Sequence, residues 1–299
     1  MSNISELSKI FNDVSQLSLN HFNQEGFSHF RFKSNEYLEL IKFCYKYSST
    51  HNGEVAFRNS NGTPRQYIDV VKKSSEIRKL IKTDLIKKIC LLFLDNQPAY
   101  LTHSKISFKT KGESSEWLPH QDNGYKLQSG SYVRKGFGIF ICLEKMDSTN
   151  GQLVVWPKSH LKGTIKHTVD LQDNLSGDYQ VFNNAVLEYN KKPINAEAGD
   201  IIVFSGDTFH GSENTTSESH RYSLVFEVEM FDSSSLKLDD YGNYPFFIVG
   251  KPKITQSFIL LIKSFISFFW LWRVLKKNRI IAGIVKKIFM PFKQIKFKG

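Results

Sequence analysis

Cysteine is scarce: Cys44, Cys90 and Cys142 are the only three in 299 residues, odd in number and far apart. That count suits neither a disulfide framework nor a cysteine-based zinc site, and reduced thiols in a cytoplasmic setting are expected. The opening stretch, MSNISELSKIFNDV, lacks a basic segment followed by an apolar run, so no signal peptide is expected. No repeat of 20–50 residues is visible, and no low-complexity linker divides residues 1–250. No Ser/His/Asp or Cys/His nucleophile arrangement stands out. Asp and Glu are absent from residues 251–299, which carry twelve Lys and Arg; of a net charge of +11 this leaves −1 for residues 1–250. A polyanionic partner would therefore meet the tail and not the body.

What is present describes a folded chain. Hydrophobic residues make up 40% and charged residues 23%, which excludes a disordered chain and a multispanning membrane protein. Residues 1–250 read as one domain and 251–299 as a separate basic tail. The first hundred residues are expected to be helix-rich, with helical spacing in the run from Asn35 to Tyr45 and in that from Ser75 to Ile89. From about 100 to 232 the pattern changes to short strands, expected at His103–Lys109, Gly136–Leu143, Gln152–Trp156, Asp200–Phe204 and Tyr222–Glu229. Helices followed by many short strands suggest an α+β protein with a sandwich or barrel. The polar region 170–192 reads as a surface loop, or as an insertion over the barrel mouth.

His120-Gln-Asp122 carries the first chemical signal. In extended chain, residues two apart share a face, so an imidazole and a carboxylate can grip one metal ion. The tripeptide alone means little and needs a second histidine. His210 supplies one, delivered by a buried strand and a glycine-containing turn in the run from Ala198 to Ser212. Two histidines and one carboxylate, with positions left open, form the ligand set of non-haem Fe(II) oxygenases. Arg221 follows eleven residues later and, across a hairpin, would hold the carboxylate of a 2-oxo acid in bidentate fashion. Its competing reading is a surface ion pair with Glu213 or Glu218. Ser212 and Ser223 would add hydroxyl donors to the same carboxylate.

Three blocks, in order, resemble the phytanoyl-CoA dioxygenase family of Fe(II)/2-oxoglutarate-dependent oxygenases. They are the run from Trp117 to Asp122, the run from Asn150 to His160, and the run from Ala198 through His210-Gly-Ser212 to Arg221-Tyr-Ser223. A weaker match is the run from Phe22 to Phe27, and the resemblance extends from about residue 20 to 230. It implies a double-stranded β-helix, or jelly-roll, cupin-like core. It also implies Fe(II) on His120, Asp122 and His210, O2 as co-reactant, and 2-oxoglutarate on Arg221 with help from Ser212. The strand before the proximal motif commonly contributes too; here it holds Lys105, Ser107 and Lys109, of which Lys109 is assigned to the cosubstrate. Lys158 stands where the family usually has Gly, at a turn. Related halogenases lack the carboxylate that Asp122 provides, so hydroxylation or a close oxidative variant is implied. His160 is assigned to a structural turn. His103, His167 and His220 read as ordinary satisfied histidines, and Trp117 and Tyr125 as packing residues that would also line a substrate pocket.

The tail reads as a basic amphipathic helix. Phe265 and Trp272 share an apolar face with Phe258, Leu261, Ile262 and Phe269, Trp270 lies beside it, and Lys276 and Lys277 follow. Lys263 near the middle argues against a span, and the pattern suits the surface of an anionic membrane on its cytoplasmic side. The expected function is a membrane-associated hydroxylase of a lipid or lipid-linked, glycan-bearing substrate. The alternatives are a soluble hydroxylase of a small metabolite that uses the tail to oligomerise, and a non-catalytic binding protein on the same scaffold. No nucleic-acid partner is expected, since no accompanying motif is present.

Overall fold

The computed structural model describes residues 16–31, 35–50, 55–58, 62, 64–109, 116–128, 135–167, 184–216, 221–231 and 246–249. In chain order the elements are α1 (Gln16–Glu25), β1 (Phe27–Phe30), α2 (Asn35–Thr50), β2 (Val55–Arg58), β3 (Pro64–Ile68), α3 (Val70–Lys73), α4 (Ser75–Ile81) and α5 (Asp84–Phe93). The run continues with β4 (Ala99–Lys109), β5 (Trp117–His120), α6 (Asp122–Gln128), β6 (Gly136–Cys142), β7 (Leu153–Val155), β8 (Lys192–Pro193), β9 (Ile201–Ser205), β10 (His210–Ser212), β11 (Arg221–Met230) and β12 (Phe246–Val249).

β6 is buried along its whole length, which follows from its place between two layers. Ile139 and Ile141 face one apolar cluster together with Ile86, Ile89 and Phe93 of α5, while Phe140 and Cys142 face a second with Leu153 and Val155 of β7. β9 divides in the same way, Ile201 and Val203 to the first cluster and Ile202 and Phe204 to the second. A strand covered on both faces reads as an unbroken apolar run, as these two do. The layers are thus helices, an eight-stranded sheet in the order β1-β9-β6-β11-β4-β3-β2 with β12 beside β4, and a four-stranded sheet in the order β5-β10-β7-β8. Every strand pair is antiparallel. Two facing antiparallel sheets give the jelly-roll core.

Three expectations change in detail. The single helix from Ser75 to Ile89 is two, α4 and α5. The break falls at Thr83, whose hydroxyl accepts from the Ile86 N–H at 3.5 Å and caps a new helix. The helix-rich first hundred residues also supply β1, β2 and β3, all of which join the large sheet. Strands of four or five residues carry too little periodicity to announce themselves; their pairing with β9 and β4 decides them. His120-Gln-Asp122 is not one extended stretch: His120 ends β5, and Asp122 opens α6. The three thiols are buried, and burial pushes those of Cys44 and Cys142 up to about 12, so they act as small apolar groups.

No helix among the described residues is long and apolar enough to cross a membrane. Phe265, Trp270, Trp272, Lys276, Lys277 and the rest of the tail lie outside the described residues, as do His220 and residues 170–183.

Candidate metal centre and its cavity

The pairing of β10 with β5 sets His210 directly across from His120, and β7 flanks His210 on the other side. Asp122, two residues past the strand end, turns its carboxylate to within 3.7 Å of the His210 Nε2. One donor atom from each of His120, Asp122 and His210 falls within 4.8 Å of the others. The His120 Nδ1 lies 2.8 Å from the Leu118 carbonyl oxygen, and the His210 Nδ1 lies 3.0 Å from that of Thr208. A carbonyl only accepts, so Nδ1 carries the proton on each ring and Nε2 is left as the ligand atom.

Burial favours the neutral imidazoles. It pushes His120 down to about 3, with His210 adding to the effect, and His210 down to about 4. Neutral rings are what a metal requires. The Asp122 carboxyl is raised by burial and by Glu227, a combination that a dication between the three side chains would reverse. The donor set therefore fits a first-row divalent metal.

Residues that the sequence reading passed over hold this motif in place. Gln121 is fully buried. Its side chain donates to the Gly163 and Asp207 carbonyls at 2.8 and 2.7 Å and accepts from the Ile165 N–H at 2.7 Å. The His167 Nε2 accepts the Gln121 backbone N–H at 2.7 Å, so this ring supports the motif from behind. His160 likewise packs under Gly26 and contacts the Asn23 carbonyl at 3.0 Å, away from the metal site. Nothing in the local pattern around Gln121 announces its partners, which come from turns about forty and ninety residues downstream.

Beside the triad lies a cavity of about 620 Å³ whose lining includes Lys109, Trp117, Tyr125, Ser212, Arg221 and Ser223. Arg221 is buried, at 4% exposure, so the reading of a surface ion pair is set aside. Its Nε donates to the Asn150 carbonyl at 3.0 Å, one Nη to the Gly151 carbonyl at 2.9 Å and the other to the Met146 sulfur at 3.2 Å. These contacts fix the plane of the guanidinium with three of its five N–H donors. Lys109 sits opposite Arg221 in the β4–β11 register, and its ammonium donates to the Glu213 carbonyl at 2.6 Å. Desolvation, with Arg221 and Arg65 nearby, pushes Lys109 down to about 6. Ser223 donates to the Ser107 carbonyl at 3.3 Å, and Ser212 accepts from the Trp117 N–H at 3.3 Å. The Arg65 guanidinium lies over the Trp117 ring at 4.1 Å, and the Tyr125 ring packs against His120 at 5.5 Å. Gly151, at φ 72°, is required here, because a Cβ would stand 2.6 Å from the Lys109 side chain.

The family model described as phytanoyl-CoA dioxygenase matches residues 43–223. Over 126 residues the chain is 32% identical to an Arabidopsis thaliana protein described as phytanoyl-CoA dioxygenase, covering 40% of this chain and 42% of the relative. Over 132 residues it is 28% identical to phytanoyl-CoA dioxygenase 1 of Oryza sativa subsp. japonica, covering 44% and 45%. The match thus spans less than half the length of either relative. The fold is similar to EctD from S. alaskensis, solved with 2-oxoglutarate and 5-hydroxyectoine. There the TM-score is 0.63 at 14% identity, over 80% of this chain and 85% of that one.

Proposed function

Because this chain belongs to the phytanoyl-CoA dioxygenase family, we propose that it is an Fe(II)- and 2-oxoglutarate-dependent oxygenase. Its reaction is hydroxylation of a C–H bond in a lipid or lipid-linked, glycan-bearing substrate met at a membrane surface. The observation that carries the oxygenase reading is the grouping of His120, Asp122 and His210 on the wall of a cavity that also takes in Arg221 and Lys109.

His120 and His210 would hold the iron through Nε2, and Asp122 through a carboxylate oxygen. Arg221, with two N–H donors beyond those given to residues 146–151, would take a 2-oxoglutarate carboxylate, supported by Lys109, Ser212 and Ser223. When bound, iron and 2-oxoglutarate supply, with O2, the oxidising chemistry that unactivated C–H bonds require. The protein's part is to bind, orient and keep water out. Phe140, Leu153, Phe204 and Val225 give the cavity its apolar wall, and Trp117 and Tyr125 flank the space a substrate would occupy. This chemistry asks for no general base, in keeping with a sequence that offers no nucleophile–base pair.

The test is an anaerobic titration with Fe(II) and 2-oxoglutarate, reading the visible iron-to-ketoacid charge-transfer band, with His210→Ala as control. A band in the parent that the variant lacks is expected. Folded protein without a band would favour a non-catalytic binding protein.

The membrane reading rests on the tail, with its twelve cations, no anions and interleaved aromatic residues. It implies a peripheral protein on the cytoplasmic face. Truncation after Gly250 is expected to release the protein from anionic liposomes in flotation. Unchanged flotation would favour a soluble hydroxylase whose tail serves another purpose, oligomerisation among them.

A further inference from the structure

One wall of the cavity carries polar groups that the triad and the cosubstrate do not use. It follows from two strands in register. On β4, residues 103, 105, 107 and 109 share one face; on β11, residues 221, 223, 225 and 227 do. All of them line the cavity, with Lys109 paired to Arg221 at one end and His103 to Glu227 at the other. The two ends lie about 20 Å apart along six residues of β11.

At the Glu227 end two ammonium groups meet two carboxylates. The Lys105 Nζ lies 3.0 Å from Glu227, and Lys126, from α6, lies 2.7 Å from Glu229 and 3.8 Å from Glu227. Burial alone would lower both ammonium groups, and the carboxylates beside them reverse this. Burial alone would raise Glu227, and Lys105, His103 and Lys126 hold it down. His103, 3.7 Å from Glu227, is lowered by burial and stands as a neutral imidazole. Two positive charges therefore cancel two negative ones, and the group as a whole attracts neither an anion nor a cation.

Its charges are balanced, but its hydrogen bonds are not complete. A carboxylate offers about four lone-pair sites. Among the described residues the Glu227 carboxylate accepts one hydrogen bond, from Lys105 to Oε1 at 3.0 Å, while Lys126 stands 3.8 Å from Oε2. Lys105 gives one N–H there, and an ammonium group has three. Both side chains open on the cavity, Glu227 at 13% exposure and Lys105 at 18%. Gly138, opposite Glu227 on β6, carries no side chain to cover them. Glu227 and Lys105 also act electrostatically on Asp122, so a group held between them lies beside the metal ligands.

The group that completes such a site is uncharged, donates to Glu227 and accepts from Lys105. One hydroxyl does both. A carboxylate or phosphate would meet the like charge of Glu227, and an ammonium that of Lys105. Tyr125 and Trp117 line the same cavity and offer aromatic surface to the C–H faces of a ring. We propose that Lys105 and Glu227 form a hydroxyl clamp, and that the primary substrate brings to the metal an uncharged, polyhydroxylated group, sugar-like in its chemistry. This deepens, and rests on, the reading of the cavity as an oxygenase active site. Of the substrates that reading allows, it selects a glycan-bearing one over a plain acyl chain.

The test is titration of the full chain, saturated with Mn(II) and 2-oxoglutarate, with hexyl β-D-glucopyranoside, hexan-1-ol, hexanoate and hexylamine. Binding is read from the Mn(II)-induced relaxation of the probe protons, which reports only probes that reach the metal. The glucoside is expected to bind about tenfold more tightly than hexan-1-ol, and more tightly than either ion. Glu227→Gln leaves one ammonium uncompensated, so the glucoside should weaken about tenfold while hexanoate gains several-fold. Lys105→Met leaves one carboxylate uncompensated, so the glucoside should again weaken while hexylamine gains. Opposite ionic gains in the two variants are a result that misfolding does not imitate. Equal binding of glucoside and alcohol, tighter binding of either ion by the parent, or a glucoside affinity that Glu227→Gln leaves unchanged would overturn the proposal. Methyl β-D-glucopyranoside against the hexyl glucoside separates a free sugar from a lipid-linked one, and tighter binding of either than of hexan-1-ol supports the clamp. A glucoside preference in protein that gives no iron–ketoacid band would sink the oxygenase reading alone, and a band without glucoside preference would sink the clamp alone.

Discussion

Lys109 offers a quantitative test of the cosubstrate end of the cavity. Its ammonium is almost wholly buried, and burial, with Arg221 and Arg65 near it, pushes it down to about 6. At pH 7.5 about 3% of Lys109 is then charged, against nearly all of an ordinary lysine. A 2-oxoglutarate carboxylate placed beside it restores the charged form, so binding draws in about one proton at pH 7.5 and only about 0.1 at pH 5, where Lys109 is already about 90% protonated. Protonation work opposes binding at high pH and vanishes below about 6, so affinity should rise about ninefold from pH 8 to 7, about fivefold from 7 to 6, and little below that. The imidazoles of His120 and His210, held down to about 3 and 4, stay neutral over this range and do not contribute. The assay is calorimetry of 2-oxoglutarate binding to Mn(II)-loaded protein in buffers of different ionisation enthalpy, with Lys109→Met alongside. A proton uptake of zero at pH 7.5, or an uptake that Lys109→Met retains, would refute the reasoning.

Three further outcomes are expected. Gly151→Ala places a Cβ 2.6 Å from the Lys109 side chain and 2.7 Å from the Glu213 carbonyl, at a φ of 72°. It should weaken 2-oxoglutarate binding and lower stability by about 1–3 kcal/mol in denaturant unfolding; unchanged binding would show that Lys109 is not held by this turn. Gln121→Ala removes three side-chain hydrogen bonds behind the metal motif. It should cut Mn(II) affinity about 10–100-fold without touching a ligand, and calorimetric affinity equal to the parent's would count against that role. Lys158 sits in the left-handed region at φ 68°. Glycine there relieves about 1–2 kcal/mol of strain at an entropy cost of about 0.5–1 kcal/mol, so Lys158→Gly should raise Tm by about 2 °C, and a lower Tm would contradict the strain argument.

The strands legible beforehand are those whose signal is local. β6 and β9 have both faces packed against apolar layers, and their runs of Ile, Val and Phe are dense enough to read without a partner, while β11 packs Leu224, Phe226 and Val228 into the core and turns its other face to the cavity. β1, β3 and β5 are not legible in this way. The Phe27–Phe30 stretch is a strand because β9 lies beside it, and Ser28 is buried there against the Ser18 carbonyl, not by its own polarity. The helix break at Thr83 was written as a capping residue, yet it lay inside a longer apolar period that masked it.

For the site, residue type together with three ordered blocks that resemble a known family marked His120, Asp122 and His210. Arg221 was marked by its distance from His210 in the chain. The sequence could name these groups and the family they resemble, since ligand chemistry depends on side-chain identity. It could not place them. Only the β5–β10 register sets His120 opposite His210, only the 146–151 turn orients Arg221, and only the β4–β11 register lines up Lys105, Glu227 and Lys109 along one wall. The physical reason is one of range. Side-chain period is fixed by neighbours one to four residues away, whereas register, burial and the field at a buried charge are fixed by segments tens to more than a hundred residues apart that meet only on folding.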